Sequence, residues 1–295
     1  RCASLKYKDV LHGEIELPTI IKAIIETTEF RRLKKIKQLG FVYKLYGEAT
    51  HTRYEHCLGT YISATKFMEH LERNTQNLKI PHNLKNCVAI AGLLHDIGHG
   101  PFSHFWESVG GFNHEYNSFD CIDALFAKLP EALSKPYKMH TYQNEIIKAF
   151  ITGFVIIHIY TYNYLFFIIH NKQCGIDVDK WDYLKRDAYY TRAHLKQDMK
   201  LSLDFDDVFT GARVSEDGAH IEYRADSFKN IFNLFNARQR FHIEIYQHPT
   251  VKVLEIIFMK ALRRSESEII RVDIKIPRVG EILQNAQINY YGSVV

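Results

Sequence analysis

The sequence predicts a mainly α-helical protein, and its length allows one large domain or two modest ones. Apolar residues recur at steps of three to four residues in several stretches, which is the helical period, and only one stretch has a clear hairpin signal. Hydrophobic residues make up 46% and charged residues 24% of the 295 residues, a composition typical of globular proteins. The 18 Tyr and 19 Phe supply enough apolar bulk for a sizeable core.

The helical pattern covers most of the chain in order. It predicts helices over 20–38 (broken near Thr27), 53–71, 86–97, 114–129, 177–195 and 226–264. Gly98, Gly100 and Pro101 predict the end of the third helix, and Asn113 is an available cap for the fourth. Residues 212–225 predict a β-hairpin because Asp217-Gly218 is a turn signal between strand-like runs. The tail, 267–295, is a mixture of strand-like and polar residues.

Charge and cysteine content narrow the environment. The net charge of +4 and the pI of about 8.6 suit an anionic substrate, but they are too weak to require a nucleic-acid partner. The basic run over 31–37 fits a solvated helix face or a phosphate-facing one about equally well. Five scattered cysteines without a CxxC pair predict a reducing compartment, and no signal peptide is recognisable. We therefore expect an intracellular protein, nuclear or cytoplasmic.

One apolar stretch, 154–169, tests this expectation. A transmembrane helix needs about 20 apolar residues, whereas this stretch is shorter and contains His158, Thr161 and Asn163. Its β-branched and aromatic residues also suit a strand. The sequence favours a buried or irregular segment and no membrane span.

Metal-binding residue types concentrate in four motifs: HTRYEHCLG (51–59), HDIGHGPFSH (95–104), NHE (113–115) and GIDVDKWDYLKRD (175–187). The adjacent His95 and Asp96 offer nitrogen and oxygen ligands, a mixture that suits Fe, Mn, Zn, Co or Ni. His56 and Asp179 lie in the neighbouring motifs and complete a set of four. Two histidines and two aspartates leave coordination positions for water or substrate, as a catalytic site requires.

Spacing gives further residues of these motifs a place near the metal. Arg53 and His56 are three apart, so on a helix they share a face, and a guanidinium could meet phosphate beside the metal. His99 follows the predicted helix end and is a candidate proton donor rather than a ligand. A single His-Asp dipeptide is common by chance, and each histidine alone is more often an ordinary polar residue. The ordered set H…HD…D is far more specific.

This ordered set resembles the signature of the HD phosphohydrolase superfamily. The stretches HGEIEL, RRLKKIKQLG, HTRYEHCLG, AGLLHDIGHGPFSH, GIDVDKWDYLKRD and ARQRFHIEIYQH together are similar to the core of the animal SAM-and-HD-domain deoxynucleoside triphosphate triphosphohydrolases. The resemblance covers about residues 5–265. It implies a helical HD catalytic domain over 1–265 with its metal core at about 38–187. Residues 266–295 then begin a truncated C-terminal region, and no SAM domain is present.

The resemblance also implies roles for individual residues. By matching position, the metal ligands are His56, His95, Asp96 and Asp179. His99 and His114 act in proton transfer or phosphate stabilisation, with Glu107 as their orienting partner. The substrate contacts are Gln38, Leu39, Arg53, His104, Lys180, Tyr183, Asp187, Arg238 and Tyr246. Of these, Asp187 meets the 3′-hydroxyl of the sugar and Tyr246 excludes a 2′-hydroxyl.

The implied reaction cuts a dNTP such as dGTP into deoxynucleoside and tripolyphosphate, using a transition metal (Fe, Mn or Zn) together with Mg²⁺ on the substrate. The implied partners are GTP and dNTP activators at the interfaces of a homo-oligomer. Several positions depart from the family: Glu107 replaces Asp, and the regulatory positions Glu26, Arg31, Lys34, Asp207 and Gly211 differ. Activation by GTP is therefore open at this stage.

Two other functions are weighed against this one. Another HD hydrolase, acting on diesters or monophosphates, needs the same four ligands without the triphosphate contacts. A truncated homologue that weakly binds nucleic acid or a protein partner is the non-enzymatic alternative, and the basic run over 31–37 favours it. Analysis of the reaction products distinguishes another HD hydrolase from the triphosphohydrolase. Salt-dependent binding without turnover identifies the non-enzymatic homologue.

Overall fold

The computed structural model describes residues 5–110, 113–129, 141–153, 157–196 and 203–269. Within these ranges the fold is mainly helical, as the sequence predicts. The α-helices are α1 Thr19–Ile25, α2 Thr28–Arg31, α3 Arg53–Asn74, α4 His82–Leu94, α5 His104–Gly110, α6 His114–Lys128, α7 Thr141–Thr152, α8 Val178–Thr191, α9 Asp206–Thr210, α10 Phe228–Phe241 and α11 Pro249–Ile269. Single-turn or 3₁₀ segments cover Arg32–Lys35, Gly40–Lys44, Ile157–Phe167 and Ala225–Ser227, and a π-helical turn covers His242–Tyr246.

Two antiparallel hairpins accompany these helices. Strand β3 Arg213–Val214 pairs with β4 Ile221–Glu222, which is the predicted hairpin, and Gly218 takes a positive φ of 70° in its turn. Strand β1 Leu5–Asp9 pairs with β2 Gly13–Leu17, and this hairpin is absent from the sequence prediction. Its signal is nevertheless present in the sequence, because apolar and charged residues alternate in LKYKD and in EIEL.

The break predicted near Thr27 is confirmed, but the helical pattern predicted over 20–38 is wrong beyond Arg31, where α2 ends. The hydroxyl of Thr27 accepts a hydrogen bond from Phe30 N at 3.3 Å, so a cap ends one helix and begins the next. After the 3₁₀ turn the chain becomes extended, and Lys37 forms a β-bridge with Thr52. Gln38 N also donates to His51 O at 3.0 Å. This pairing lays residues 36–38 beside the start of α3.

The helix predicted over 226–264 is also wrong as one element. The chain leaves α10 through the π-helical turn, and α11 begins at Pro249. Proline has no amide hydrogen and its ring clashes with the preceding turn, so it starts a helix more readily than it continues one. The helix predicted over 86–97 ends earlier, at Leu94, and residues 95–98 form a turn.

Helix α3 organises the core because it packs against both α4 and α8. Its residues from His56 to Ala64 are buried without interruption. Its first turn is fixed by a capping box, in which Glu55 Oε2 accepts from Thr52 N at 2.7 Å. Since α4 ends and α8 begins beside this end of α3, the polar residues at those ends are brought together.

The apolar stretch over 154–169 is irregular where the structure describes it, and it is buried from Tyr164 onward, whereas Thr161 is exposed. Residues 157–167 form 3₁₀ turns instead of a strand, and Tyr164 to Ile169 lie in the core. Among the described residues, no helix has the length and apolar character needed to cross a bilayer. Residues 154–156 and the tail beyond 269 lie outside the described residues.

Candidate metal centre and active site

Three elements bring the four predicted metal ligands together. His56 lies on α3, His95 and Asp96 lie in the turn after α4, and Asp179 lies in the first turn of α8. Asp179 Oδ1 is 3.0 Å from His56 Nε2 and 3.3 Å from His95 Nε2. Asp96 Oδ2 is 3.5 Å from each of the same two nitrogens. Two imidazoles and two carboxylates therefore converge on one point.

The two histidines are turned so that their Nε2 atoms face this point. His56 Nδ1 lies 2.7 Å from Asp182 Oδ2, and His95 Nδ1 lies 2.8 Å from Gly92 O. Each contact uses Nδ1–H as a donor, which leaves the Nε2 lone pair toward the centre. The two Nε2 atoms are only 3.2 Å apart and face two carboxylates, an arrangement that a cation between them stabilises. The residues present thus fit a divalent metal with mixed nitrogen and oxygen ligands.

The pKa values at this centre also indicate a site for positive charge. Burial lowers the pKa of His56, but hydrogen bonds to Asp179 and Asp182 outweigh it and raise the pKa to about 10. Burial raises the pKa of Asp179, but its contacts with His56 and His95 hold that pKa well below the usual range. The surroundings therefore stabilise a cationic charge, whether a proton or a metal ion carries it.

Arg53 and His99 flank the metal cluster on the side of Asp96. Arg53 Nη1 donates to Asp96 Oδ2, and Arg53 Nε donates to Ser103 Oγ at 3.1 Å. His99 Nε2 is 3.3 Å from the other Asp96 oxygen. Burial and the neighbouring Arg53 charge hold the pKa of His99 well below its usual range. His99 is consequently neutral near pH 7.

A histidine–glutamate cluster adjoins His99. The ring of His114 stacks on that of His99, with centroids 3.9 Å apart. Glu107 binds Nδ1 of His114 and, at 2.8 Å, Nδ1 of His104. Burial raises the pKa of Glu107, but these two hydrogen bonds outweigh it and hold the pKa well below the usual range. Glu107 therefore stays ionised and fixes the orientation of both rings.

A cavity of about 580 Å³ lies over both clusters. All the site residues that the sequence predicts line it except His95 and Glu107, which touch lining residues from behind. The predicted residues on its wall are Gln38, Leu39, Arg53, His56, Asp96, His99, His104, His114, Asp179, Lys180, Tyr183, Asp187, Arg238 and Tyr246.

Cationic side chains line this cavity. Besides Arg53, it contains Lys180, whose Nζ donates to Asp177 Oδ2 at 2.8 Å, and Arg238, which hydrogen-bonds Tyr183. The Nε of Arg238 is buried without an acceptor in the described part of the chain. The arrangement suits a ligand that carries several negative charges.

A further part of the cavity wall is built on Asp187. One of its carboxylate oxygens accepts from Tyr246 OH at 2.5 Å, and the other lies 2.7 Å from His51 Nε2. The ring of His51 stacks on Tyr190 with centroids 4.5 Å apart. This wall offers a fixed, buried carboxylate to a ligand hydroxyl.

Sequence reasoning missed three residues that support this site. Asp182 and Arg186 are fully buried behind His56, and His51 is buried behind Asp187. Asp182 could have been predicted from the sequence, because a residue three positions after Asp179 lies on the same face of the helix. No spacing rule links His51 to a partner 136 residues away in the chain.

The predicted regulatory positions lie apart from this cavity. Glu26, Arg31 and Lys34 line a second cavity of about 520 Å³ together with Leu5, Ile25 and Tyr54. Asp207 accepts hydrogen bonds from Ser227 Oγ at 2.9 Å and Asn230 Nδ2 at 2.8 Å, and Gly211 follows the end of α9.

Comparison with known proteins assigns the fold. The HD domain model matches residues 53–163, which contain His56, His95 and Asp96. Residues 53–163 therefore match an HD domain, which is a helical phosphohydrolase fold. The chain is 32% identical over 89% of its length to the deoxynucleoside triphosphate triphosphohydrolase SAMHD1 of Xenopus laevis, covering 46% of that protein.

Two further relatives agree with this similarity. The human SAMHD1 is 31% identical over 88% of the chain, which covers 44% of the human protein. A SAMHD1 homologue of Dictyostelium discoideum is 30% identical over 90% of the chain, which covers 50% of that protein. The chain thus spans about half the length of the curated relatives that it matches.

Proposed function

We propose that this chain is a metal-dependent hydrolase that converts a dNTP to a deoxynucleoside and tripolyphosphate. One observation carries the proposal: a single cavity joins the four-residue metal cluster, three cationic side chains and a buried carboxylate wall. A metal alone fits many HD hydrolases, whereas the cations and the carboxylate match the two ends of a nucleoside triphosphate. The names of the relatives support the same substrate class.

In this proposal His56, His95, Asp96 and Asp179 hold a transition metal of the Fe, Mn or Zn type. When bound, such a metal lowers the pKa of a water molecule and polarises a phosphoryl oxygen. Asp182 and the Gly92 carbonyl keep the two imidazoles in the orientation that coordination needs. Mg²⁺ accompanies the triphosphate because it prefers phosphate oxygens.

The reaction attaches a water oxygen to the α-phosphorus and breaks its bond to the sugar O5′, which needs a proton. His104 and His114 are suited to donate it from their imidazolium forms, because Glu107 accepts Nδ1–H of each and leaves Nε2–H toward the cavity. The neutral His99 is better suited to hydrogen-bond a phosphate oxygen. Although these three rings could share an ion, stacking of His99 on His114 directs their nitrogens in parallel rather than to one point.

The remaining wall residues position the substrate. Arg53, Lys180 and Arg238 neutralise the triphosphate, and the charge they offset grows as the reaction proceeds. Asp187 accepts a hydrogen bond from the 3′-hydroxyl, with Gln38 and Leu39 beside it. Tyr246, held by its bond to Asp187, packs against the sugar where a 2′-hydroxyl would clash.

The first prediction concerns the products. Purified protein incubated with dGTP and Mn²⁺ or Fe²⁺ should release deoxyguanosine and tripolyphosphate in equal amounts, resolved by anion-exchange chromatography. GTP, which carries a 2′-hydroxyl, should be turned over far more slowly. Release of pyrophosphate or orthophosphate, or turnover of monophosphates and diesters, would assign the site to a different HD hydrolase. Salt-dependent binding of single-stranded nucleic acid without any turnover would favour the non-enzymatic alternative.

A second prediction tests the proton donor. Glu107→Gln should lower kcat with dGTP by about 10²-fold, the lower range for a lost general acid. The two histidines bind different carboxylate oxygens, and in the variant the amide NH₂ group, a donor, replaces one of them and faces an Nδ1–H. Glu107→Asp is the matched control, because it keeps the carboxylate and should retain most of the activity. Steady-state kinetics of the two variants provide the comparison. An unchanged kcat in Glu107→Gln contradicts the role of this cluster.

Three broader features belong to the proposal as well. The catalytic domain is taken to extend over 1–265, with the metal core over 38–187. A homo-oligomer and activation by GTP or a dNTP are proposed from the family resemblance of the sequence. Sedimentation measures the oligomeric state, and kinetics with and without GTP measure activation. Glu26, Arg31 and Lys34, which differ from the family residues, line the second cavity and give it a different chemistry.

A further inference from the structure

A buried chain of charged side chains runs from the metal centre to the β1–β2 hairpin. Asp182 Oδ2 lies 2.7 Å from His56 Nδ1, and the same carboxylate accepts from Arg186 Nε at 2.9 Å and Nη2 at 2.8 Å. Arg186 Nη1 in turn lies 3.0 Å from Asp9 Oδ2. Asp9 is the last residue of β1, so the hairpin is connected to a metal ligand through two side chains.

The burial of this chain argues for a specific task. Asp9, Asp182 and Arg186 are each no more than 3% exposed, and His56 is fully buried. Removing ions from water costs several kcal/mol each, and a well-packed apolar set is often equally stable. Stability alone therefore gives no reason to keep two carboxylates and a guanidinium at this position.

We infer that Asp9 and Arg186 are positioning residues of the metal centre, which act through Asp182 on His56. This inference rests on the proposed metal centre. A carboxylate that accepts Nδ1–H fixes the ring of a metal-binding histidine and strengthens its Nε2 as a ligand. Arg186 bound to Asp182 alone would neutralise that carboxylate. Because Asp9 shares the guanidinium, Asp182 keeps more of its negative charge for His56.

The carboxylate of Asp9 makes two separate sets of contacts in the hairpin turn. Asp9 Oδ1 accepts from Leu11 N at 2.8 Å and His12 N at 3.1 Å, which closes the turn, whereas Oδ2 faces Arg186. His12 itself stacks on Trp181 of α8, with centroids 5.3 Å apart, and its Nε2 lies 3.8 Å from Asp182. The turn is thereby docked against the helix that supplies Asp179 and Asp182.

Asp9→Asn separates these two sets of contacts. The amide oxygen can still close the turn, but the amide nitrogen then faces the guanidinium, and two donors cannot bind one another. The experiment titrates metal-free wild type and Asp9→Asn with Co²⁺, measuring the dissociation constant and the visible absorption spectrum. We expect affinity to fall at least about tenfold, as for other outer partners of metal-binding histidines, and the ligand-field bands to shift.

Glu29→Gln is the matched control. Glu29 is also a fully buried carboxylate, but its partner is Lys128 and it belongs to α2. This variant should lower the unfolding temperature of the metal-free protein, yet bind Co²⁺ with the constant and spectrum of the wild type. A purely structural Asp9 would behave in the same way, and that result overturns the inference.

Two further outcomes keep the test decisive. If Asp9→Asn does not fold, Arg186→Lys replaces it: the ammonium keeps the charge but cannot bind Asp182 through two N–H groups and also lie beside Asp9, as the guanidinium does. Unchanged Co²⁺ binding in Arg186→Lys contradicts the inference. Wild-type protein that binds no Co²⁺ contradicts the metal centre itself, which separates failure of the proposed function from failure of the positioning role.

Discussion

Replacing both His95 and Asp96 by alanine is expected to remove the bound metal and to lower kcat with dGTP by at least about 10³-fold. The two residues supply one nitrogen and one oxygen within 3.5 Å of the other ligands, so two of four ligands are lost. A metal contributes several kcal/mol of charge stabilisation, and each 1.4 kcal/mol corresponds to about tenfold in rate. Elemental analysis and steady-state kinetics on the same preparation measure both effects.

A control with the same residue types comes from the β3–β4 hairpin. His220 and Asp217 form an exposed pair with 3.9 Å between Nε2 and Oδ2, far from the cavity lining. Their double alanine variant should keep the metal content and kcat of the wild type. A full complement of metal in the His95 and Asp96 double variant would refute the ligand assignment.

The metal residues could be proposed from sequence because their chemistry is local and dense. His95-Asp96 stands before two glycines and a proline that end a helix, and this pattern is visible without coordinates. The structure adds the reason for the glycines. At Gly98, a side-chain carbon would lie 2.6 Å from Ser118 Oγ, so only glycine lets α6 pack on the turn that holds both residues. The catalytic roles themselves stay predictions.

The residues that support the metal ligands could not be predicted from the sequence, because their role depends on tertiary contacts inside the core. In the sequence, Arg186 is one of several charged residues in a polar helix, and no local pattern indicates that its side chain is buried in the core. Asp9 is separated from it by most of the chain, and only packing of the hairpin against α8 makes them neighbours. Pairing at such sequence separation is set by tertiary structure, which local periodicity does not encode.

The errors in the helix boundaries have the same origin on a smaller scale. Periodicity predicts one helix over 226–264, yet the π-helical turn at His242–Tyr246 interrupts it and directs Tyr246 to Asp187. A π-turn is a departure from regular helix that often occurs at functional sites. The local sequence rule thus fails where the cavity wall requires a different geometry.

Gly59→Ala is expected to destabilise the protein strongly, because Gly59 is where α3 leaves space for the buried charges of Asp182 and Arg186. A side-chain carbon there would lie 2.6 Å from Asp182 Cγ and still closer to Asp182 Oδ1 and Arg186 Nη2. Both partners are held by hydrogen bonds, so neither can move without breaking the pair. Breaking a buried ion pair costs about 3–5 kcal/mol, and alanine returns about 1 kcal/mol of helix propensity.

The expected net effect is a fall of about 2–4 kcal/mol in the free energy of unfolding, measured by urea denaturation of the metal-free protein. Gly47→Ala is the matched control, because Gly47 is exposed and has no atom within 4 Å of the added carbon. That variant should stay within about 0.5 kcal/mol of the wild type. Equal stability of the two variants would mean that Asp182 and Arg186 can separate freely. His56 would then lack the fixed partner on which its orientation toward the metal depends.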